Sequence, residues 1–333
     1  MKNKTVLNVK DLHVRIPAAG GAVNAVRGVS FSVKAGRVLG LVGESGCGKT
    51  VTCLALAGLI NSPGLAAGGA VELNGRNIAG LPGGELRALR GREIAMILQH
   101  PMSAFNPMLT LGLHFEETLT THTGMTAKQA REAAVSLLGQ VGLPRPGDIM
   151  RQYPFQLSGG MLQRVMIAIA LGLRPAMLIA DEPTTALDVT VRRQIIGQLE
   201  RLRNNFNTGI LLVSHDLAVI AQLADEVAVM YSGYIVEKAP VMELYDHPLH
   251  PYTRALLASR PGMKKERLQA IEGQPPSMAD SVEGCPFLNR CRMAAGACLE
   301  YGMEPFTRNA NHMVRCVLYR MAWEAIISEP AGA

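Results

Sequence analysis

Polar and apolar residues alternate over positions 5–16 and again over 24–34, with β-branched residues enriched. That period predicts two strands of a half-buried sheet, joined at Ala18-Ala19-Gly20-Gly21. The texture then changes. Val38-Leu39-Gly40-Leu41-Val42 is an unbroken apolar run leading into Gly43, and residues 49–60 have helical length without proline. Short apolar strands are expected at 94–98, 176–180, 210–213 and 227–230, separated by helical stretches near 126–142, 159–172 and 190–205. Strands alternating with helices predict an α/β chain with a parallel sheet covered on both faces. The segment 100–160, mostly helical and rich in Met, reads as an inserted subdomain. After Glu237 the pattern breaks at Pro240, Pro248 and Pro251. Residues 261–284 are polar and carry Pro275-Pro276, as a linker would, and 329–333 read as a frayed tail.

Composition narrows the class. At 333 residues the chain has room for two domains, and 48% apolar against 18% charged residues excludes disorder as its main state. Few aromatics (5%) and 34 glycines suit an aliphatic core with tight turns. The longest apolar window, 165–173, stops at Arg174, short of the roughly 18 residues a membrane helix needs. Lys10 and Asp11 arrive before any apolar stretch develops, so no secretory leader is expected. The net charge of +6 is spread without a basic run, and no nucleic-acid partner is expected. Cysteines stand at 47, 53, 285, 291, 298 and 316, and a thiol inside the main motif fits a reducing cytoplasm.

That motif is Gly43-Glu44-Ser45-Gly46-Cys47-Gly48-Lys49-Thr50, which fits G-x-x-x-x-G-K-[ST] between a strand and a helix. Glycines let consecutive N–H groups curl around a phosphate, and the helix start adds its positive end. Lys49 supplies a charge for the β- and γ-phosphates, and Thr50 a hydroxyl for Mg²⁺. Cys47 and Cys53 read as small packing residues. The run 176–180 ends in Asp181-Glu182, two acids at the carboxyl end of a buried strand, where open α/β sheets bind ligands. Asp181 is assigned to Mg²⁺ and Glu182 to the attacking water. Leu157-Ser158-Gly159-Gly160-Met161 opens a long apolar helix and reads first as a helix cap, although it offers a second anion site. Gln99 and His215 sit just past two further strand ends.

Taken in order, these residues resemble the ATP-binding subunit of ATP-binding-cassette (ABC) transporters. The likeness rests on Walker A at Gly43 to Thr50, a Q-loop at Gln99, the signature Leu157-Ser158-Gly159-Gly160, Walker B ending in Asp181 and Glu182, a D-loop at Ala186-Leu187-Asp188, and a switch histidine at His215. Asn106-Pro107, Met161 after the signature, and His250-Pro251-Tyr252-Thr253-Arg254-Ala255-Leu256 are similar to the dipeptide/oligopeptide and nickel-peptide importer branch. The resemblance implies a P-loop NTPase (RecA-like) core with an antiparallel β subdomain and a helical subdomain, spanning 1–250, and a small cysteine-bearing extension over 251–333. It further implies two such subunits, identical or homologous, sandwiching two ATP molecules, with Ser158, Gly159 and Gly160 of one capping the γ-phosphate held by the other. Glu182, His215 and Gln99 are the implied catalytic residues; Thr50, Gln99 and Asp181 hold Mg²⁺, and Asp188 contacts the nucleotide. Two transmembrane permease subunits and an extracytoplasmic substrate-binding protein are the implied partners, and the site of work is the cytoplasmic face of the inner membrane. Relatives carry an aromatic where this chain has Val14-Arg15-Ile16, so Ile16 is left to pack on adenine and weaker or less base-selective binding is expected.

Cys285, Cys291, Cys298 and Cys316 lie outside the motor, and their spacings are looser than those of zinc knuckles. Four thiols suit an iron–sulfur cluster or zinc, or occur by chance; a disulfide framework does not suit the cytoplasm. The resemblance implies a [4Fe-4S] cluster, with Zn²⁺ as the alternative. His312 is a candidate substitute ligand but reads first as a surface residue. The expected function is ATP-driven uptake of di- or oligopeptides; metal chelates, opines and antimicrobial peptides are alternative cargoes. A soluble cassette ATPase of ribosomes or DNA would commonly carry a second cassette or a coiled-coil insertion, and neither is visible.

Overall fold

The computed structural model describes residues 4–18, 21–60, 66–185, 187–259, 271–277, 283–300, 303–309 and 311–321. The frayed tail, Ala186 and most of the expected linker lie outside them. Strands β1 (Thr5–Ala18) and β2 (Gly21–Lys34) form the expected antiparallel ribbon, paired from Thr5↔Lys34 to Ala18↔Gly21 with register shifts between Thr5 and Leu7 and between Val9 and Arg15. β3 (Val38–Val42) leads into α1 (Lys49–Leu56), which is shorter than expected. Gly58 takes φ +63°, and Leu59 and Gly58 return hydrogen bonds to Leu54 and Ala55, a glycine-terminated Schellman end that the apolar run through Ile60 conceals. β4 (Ala66–Leu73) and β5 (Arg76–Asn77) were not expected; β4 pairs with β1 to complete an antiparallel sheet ordered β2-β1-β4-β5.

After α2 (Gly83–Leu89) and β6 (Ile94–Ile97) comes the helical insertion, made of α3 (Leu111–Thr123), α4 (Ala127–Gln140) and α5 (Pro146–Ile149). It rests on α6 (Gly159–Leu173), which is followed by β7 (Met177–Asp181), α7 (Val189–Phe206), β8 (Gly209–Val213), α8 (Leu217–Leu223) and β9 (Glu226–Tyr231). β3 runs parallel to β8 and β9, and β6, β7 and β8 continue the parallel set. β3, β7 and β8 are buried at every position, which is why they read as unbroken apolar runs. Their side chains divide the core by parity. Leu178, Ala180, Ile210 and Leu212 face the helical side, while Met177, Ile179, Leu211 and Val213 pack with the ribbon and α1. Each fully buried leucine or isoleucine there contributes roughly 1.5–3 kcal/mol.

The chain continues through β10 (Tyr234–Pro240), α9 (Val241–Asp246), α10 (Pro251–Ala258), α11 (Ala297–Glu300), β11 (Phe306–Asn309) and β12 (His312–Val314). β12 pairs antiparallel with β10, so the extension adds strands to the main sheet, ordered β11-β12-β10-β9-β3-β8-β7-β6. His312 corrects its surface reading. It is fully buried, with Nε2 2.8 Å from Glu237 and Nδ1 3.0 Å from Glu243. Burial opposes its charge, yet the two glutamates outweigh that and hold its pKa above the ordinary range. No helix among the described residues is long and apolar enough to cross a membrane.

Candidate active site

Because β3, β6, β7 and β8 are mutually parallel, their carboxyl ends share one edge, and each expected residue of the core site leaves from it. The loop after β3 is shaped by its neighbours. At Gly48, φ is +107° and a Cβ would stand 2.4 Å from the carbonyl oxygen of Ala25; at Gly43 it would stand 2.2 Å from that of Met230. Neither position admits a side chain. Ser45 and Gly46, between them, face solvent. The Lys49 ammonium lies across the loop, donating to the carbonyls of Gly43 (2.8 Å) and Glu44 (2.9 Å). Cys47 and Cys53 are buried, as expected of packing residues, and burial pushes both thiols up.

Asp181 and Glu182 end β7 where the parallel β8 delivers His215. Asp181 is buried, and its Oδ1 has no hydrogen-bond partner. Burial raises its pKa, with Glu182 adding to the rise, while the Thr50 hydroxyl, Lys49 and His100 pull it down. A buried, unpartnered carboxylate oxygen beside Thr50 has the chemistry of a hard cation's ligand, so Thr50 and Asp181 fit Mg²⁺. Gln99 stands exposed just past the neighbouring strand β6. Glu182 takes φ +50°, a left-handed conformation that costs a non-glycine residue about 1–3 kcal/mol. Its Oε2 accepts from the Thr185 hydroxyl and contacts His215 Nδ1, both at 2.6 Å, so both contacts fall on a single carboxylate oxygen. A carboxylate so oriented can take a proton from water on its other oxygen.

Ser158 caps α6, its Oγ accepting from Met161 at 3.3 Å, and Asp188 caps α7 through Val191 at 2.9 Å. Both caps are exposed, and the space where a Cβ of Gly159 would stand is open. Ile16, near the tip of the ribbon, is half-buried and pairs with Val23. Sequence reasoning missed several residues. Thr185 and His100 sit one helical step or one position from recognised residues, a spacing that could have found them. Tyr252, whose hydroxyl accepts from the Glu44 N–H, and Arg290, which pairs with Glu44, are 208 and 246 positions away, and although Tyr252 falls within the His250–Leu256 motif nothing local marks either as a partner of the loop.

Cys285, Cys291, Cys298 and Cys316 line a single cavity with His250, Phe287, Arg315 and Leu318 among its walls. Burial raises the thiol of Cys285 to about 11, helped by the other cysteines, and raises Cys291 and Cys316 as well. Arg315 Nε, on a residue lining that cavity, is buried without a hydrogen-bond partner. Among the described residues, no three His, Cys, Asp or Glu side chains converge as they would around a single ion.

Comparison with known proteins gives two family matches: "ABC transporter" over residues 26–185, and "Oligopeptide/dipeptide transporter, C-terminal region" over 236–298. The chain is 43% identical to the oligopeptide transport ATP-binding protein AppD of Bacillus subtilis over 95% of its own length and 97% of that protein. It is 45% identical to the oligopeptide transport ATP-binding protein OppD of Escherichia coli over 88% of this chain and 87% of that one. Among solved structures, a dimeric ATP-binding cassette, MJ0796, in a post-hydrolysis state with ADP and Pi, matches with a TM-score of 0.64 at 25% identity, covering 71% of this chain and 98% of the other.

Proposed function

Since the chain belongs to the ATP-binding subunits of ABC transporters, we propose that it hydrolyses ATP to drive uptake of di- or oligopeptides through a membrane importer. The observation that carries the chemistry is the juxtaposition of Lys49, Thr50, Asp181, Glu182 and His215 along the carboxyl edge. Lys49 exchanges the carbonyls of Gly43 and Glu44 for the β- and γ-phosphates, while Asp181 and Thr50 hold Mg²⁺, with Gln99 at hand from the next strand. Glu182 takes the proton of the attacking water and His215 keeps its carboxylate oriented, giving ADP and phosphate. Mg²⁺, when bound, neutralises charge on the triphosphate. The cargo is supported by the relatives named for peptide transport and by the match of residues 236–298 to a peptide-transporter region.

The second anion site belongs to a neighbour. Ser158 and Gly159 are exposed at the start of α6, with Gly160 half-buried beside them, and the cassette of the solved relative is dimeric. In this reading they cap the nucleotide of a second ATPase subunit, and Asp188 lies at the same junction. The exposed apolar side chains of Met102, Met108, Leu113 and Phe155, on and beside the helical insertion, support docking of membrane permease subunits at the cytoplasmic face. A substrate-binding protein would complete the importer. Purifying the assembly through this chain, identifying its bound solute and measuring ATP-dependent peptide uptake in vesicles tests the reading. Uptake of peptides supports it; a complex that hydrolyses ATP but carries only metal chelates or opines would change the cargo, and an absence of membrane partners would reject transport.

We infer further that the four cysteines hold a [4Fe-4S] cluster. Their lining of one cavity, together with the unpartnered buried Nε of Arg315, supports an anionic, sulfur-rich occupant. Bound there, a cluster would cross-link residues 285 to 316 through four iron–sulfur bonds. Protein purified without oxygen should be brown and contain about four irons per chain. A colourless preparation with stoichiometric zinc would overturn the assignment.

A further inference from the structure

Glu44, the second residue of the phosphate-binding loop, is held at every polar atom for which the structure gives a contact. Its N–H donates to Tyr252 Oη at 2.9 Å, its carbonyl accepts from Lys49 Nζ at 2.9 Å, and its carboxylate receives a bidentate fork from Arg290, Nη1 to Oε2 at 2.6 Å and Nη2 to Oε1 at 2.9 Å. Arg290 is itself immobilised. Its side chain is only 4% exposed, Nε donates to the carbonyl of Glu272 at 2.9 Å, and Nη1 also reaches Tyr231 Oη at 3.1 Å. The guanidinium carbon lies 5.8 Å from the ring centres of both Tyr231 and Phe287, which pack with Tyr252 into one aromatic cluster. Arg290 immediately precedes Cys291, on a short 3₁₀ turn of the cysteine module. A contact spanning 246 positions therefore joins that module to the start of the loop.

Resting on the reading of this loop as the ATP site, we propose that Arg290 is a positioning residue for ATP binding: through Glu44 it fixes the carbonyl beside which Lys49 stands and from which the open half of the loop hangs. The physical reason is preorganisation. Ser45 and Gly46 are exposed, and the surroundings of Gly46 leave its left-handed backbone room to move, so Glu44 is the anchor from which their amides must be aimed. A planar fork meeting a carboxylate on both oxygens fixes orientation as well as distance, which an ammonium could not do. Without that anchor, ATP binding must order the loop at its own cost. The cysteine module thus reaches the phosphates by a path of two side chains.

Equilibrium titration of the purified full-length chain with MgATP, MgADP and AMP tests this. Arg290→Ala should weaken MgATP and MgADP binding by about tenfold, as expected for ordering one or two residues, and leave AMP unchanged. In turnover, KM for ATP should rise by a similar factor while kcat changes less than twofold. Glu44→Ala should show the same loss, and the double variant should be no weaker than either single, because Arg290 acts through Glu44. A folded R290A that binds MgATP like the parent overturns the proposal, as does a double variant whose loss is the product of the two singles. If R290A does not fold, Glu44→Gln, which keeps the side-chain shape but removes the charge, carries the test; unchanged MgATP affinity in E44Q would then overturn it. Lys49→Ala serves as the independent control. Should it bind MgATP as well as the parent, the ATP-site reading fails, whatever Arg290 does.

Discussion

Along the carboxyl edge of the sheet, Asp181, Glu182, His215 and Gln99 stand within two positions of a strand end, Lys49 and Thr50 follow β3 through the phosphate loop, and the parallel register brings them together. In the cysteine module the decisive contacts bridge far larger gaps: Arg290 to Glu44 across 246 positions and His312 to Glu237 across 75. The first region draws its precision from the core, so its chemistry is written in short motifs. The second draws its precision from a few charged and hydrogen-bonded ties to the first, and those ties are what its sequence conceals. A site built by the sheet should tolerate loss of its chemistry without loss of fold. A module tied on by buried charge should show the reverse.

The largest expected effect lies at the edge. Glu182→Gln should lower phosphate release by about 10²- to 10⁴-fold, the usual worth of a general base, while MgATP still binds. Unchanged hydrolysis would reject the role of Glu182. In the module, His312→Ala leaves Glu237 buried without its cationic partner and should destabilise the docking of β12 by about 3–5 kcal/mol, read as a lowered denaturation midpoint. ATP affinity should fall by no more than the about tenfold that loss of the Arg290 tie to Glu44 costs, and only as far as loosening β12 also frees Arg290.

Protonation sharpens the contrast. Burial holds His250 neutral, with its pKa lowered to about 4, so stability drains away as pH falls from the ordinary 6.5 towards 4, by on the order of 3 kcal/mol. His312 works in the opposite sense. Its pKa is raised, so its contribution is whole below 6.5 and is lost as pH climbs through the raised value. Together they predict that the module is docked most firmly near pH 6.5, loosening on both sides. Proteolysis at graded pH would check this, and a docking stability that rises steadily from pH 5 to 8 would contradict it.

The smallest effect concerns the adenine. Ile16→Tyr should raise ATP affinity about fivefold or more, since stacking a base on an aromatic ring contributes about 1–3 kcal/mol. Comparing ATP with GTP before and after the change would show whether selectivity follows. Equal affinities in parent and variant would remove Ile16 from the site.

Much of the core was legible because burial on both faces turns β3, β7 and β8 into plain apolar runs and because the phosphate loop needs glycine where backbone carbonyls crowd it. The misses have physical causes. β4 opens Ala66-Ala67-Gly68-Gly69-Ala70, with neither alternation nor β-branching until Val71, so pairing with β1 rather than propensity makes it a strand. α1 ends early because Gly58 adopts a left-handed conformation inside a helical-looking stretch. β12 is three residues long, too short to show a period, and His312 looks solvent-facing until Glu237 and Glu243 are brought around it. Nothing local to Arg290 marks it as a partner of the phosphate loop.

The most direct test of the composite ATP site is Ser158→Arg, measured twice: for MgATP binding by the isolated chain and for phosphate release by the assembled transporter. Ser158 sits exposed on the start of α6, so the isolated chain should bind MgATP as before. Hydrolysis by the assembly should fall at least tenfold, about 1.4 kcal/mol of lost transition-state stabilisation, because the arginine obstructs the cap offered to the neighbouring subunit. Full hydrolysis by the assembly, or loss of binding by the isolated chain, would contradict a nucleotide shared between two cassettes.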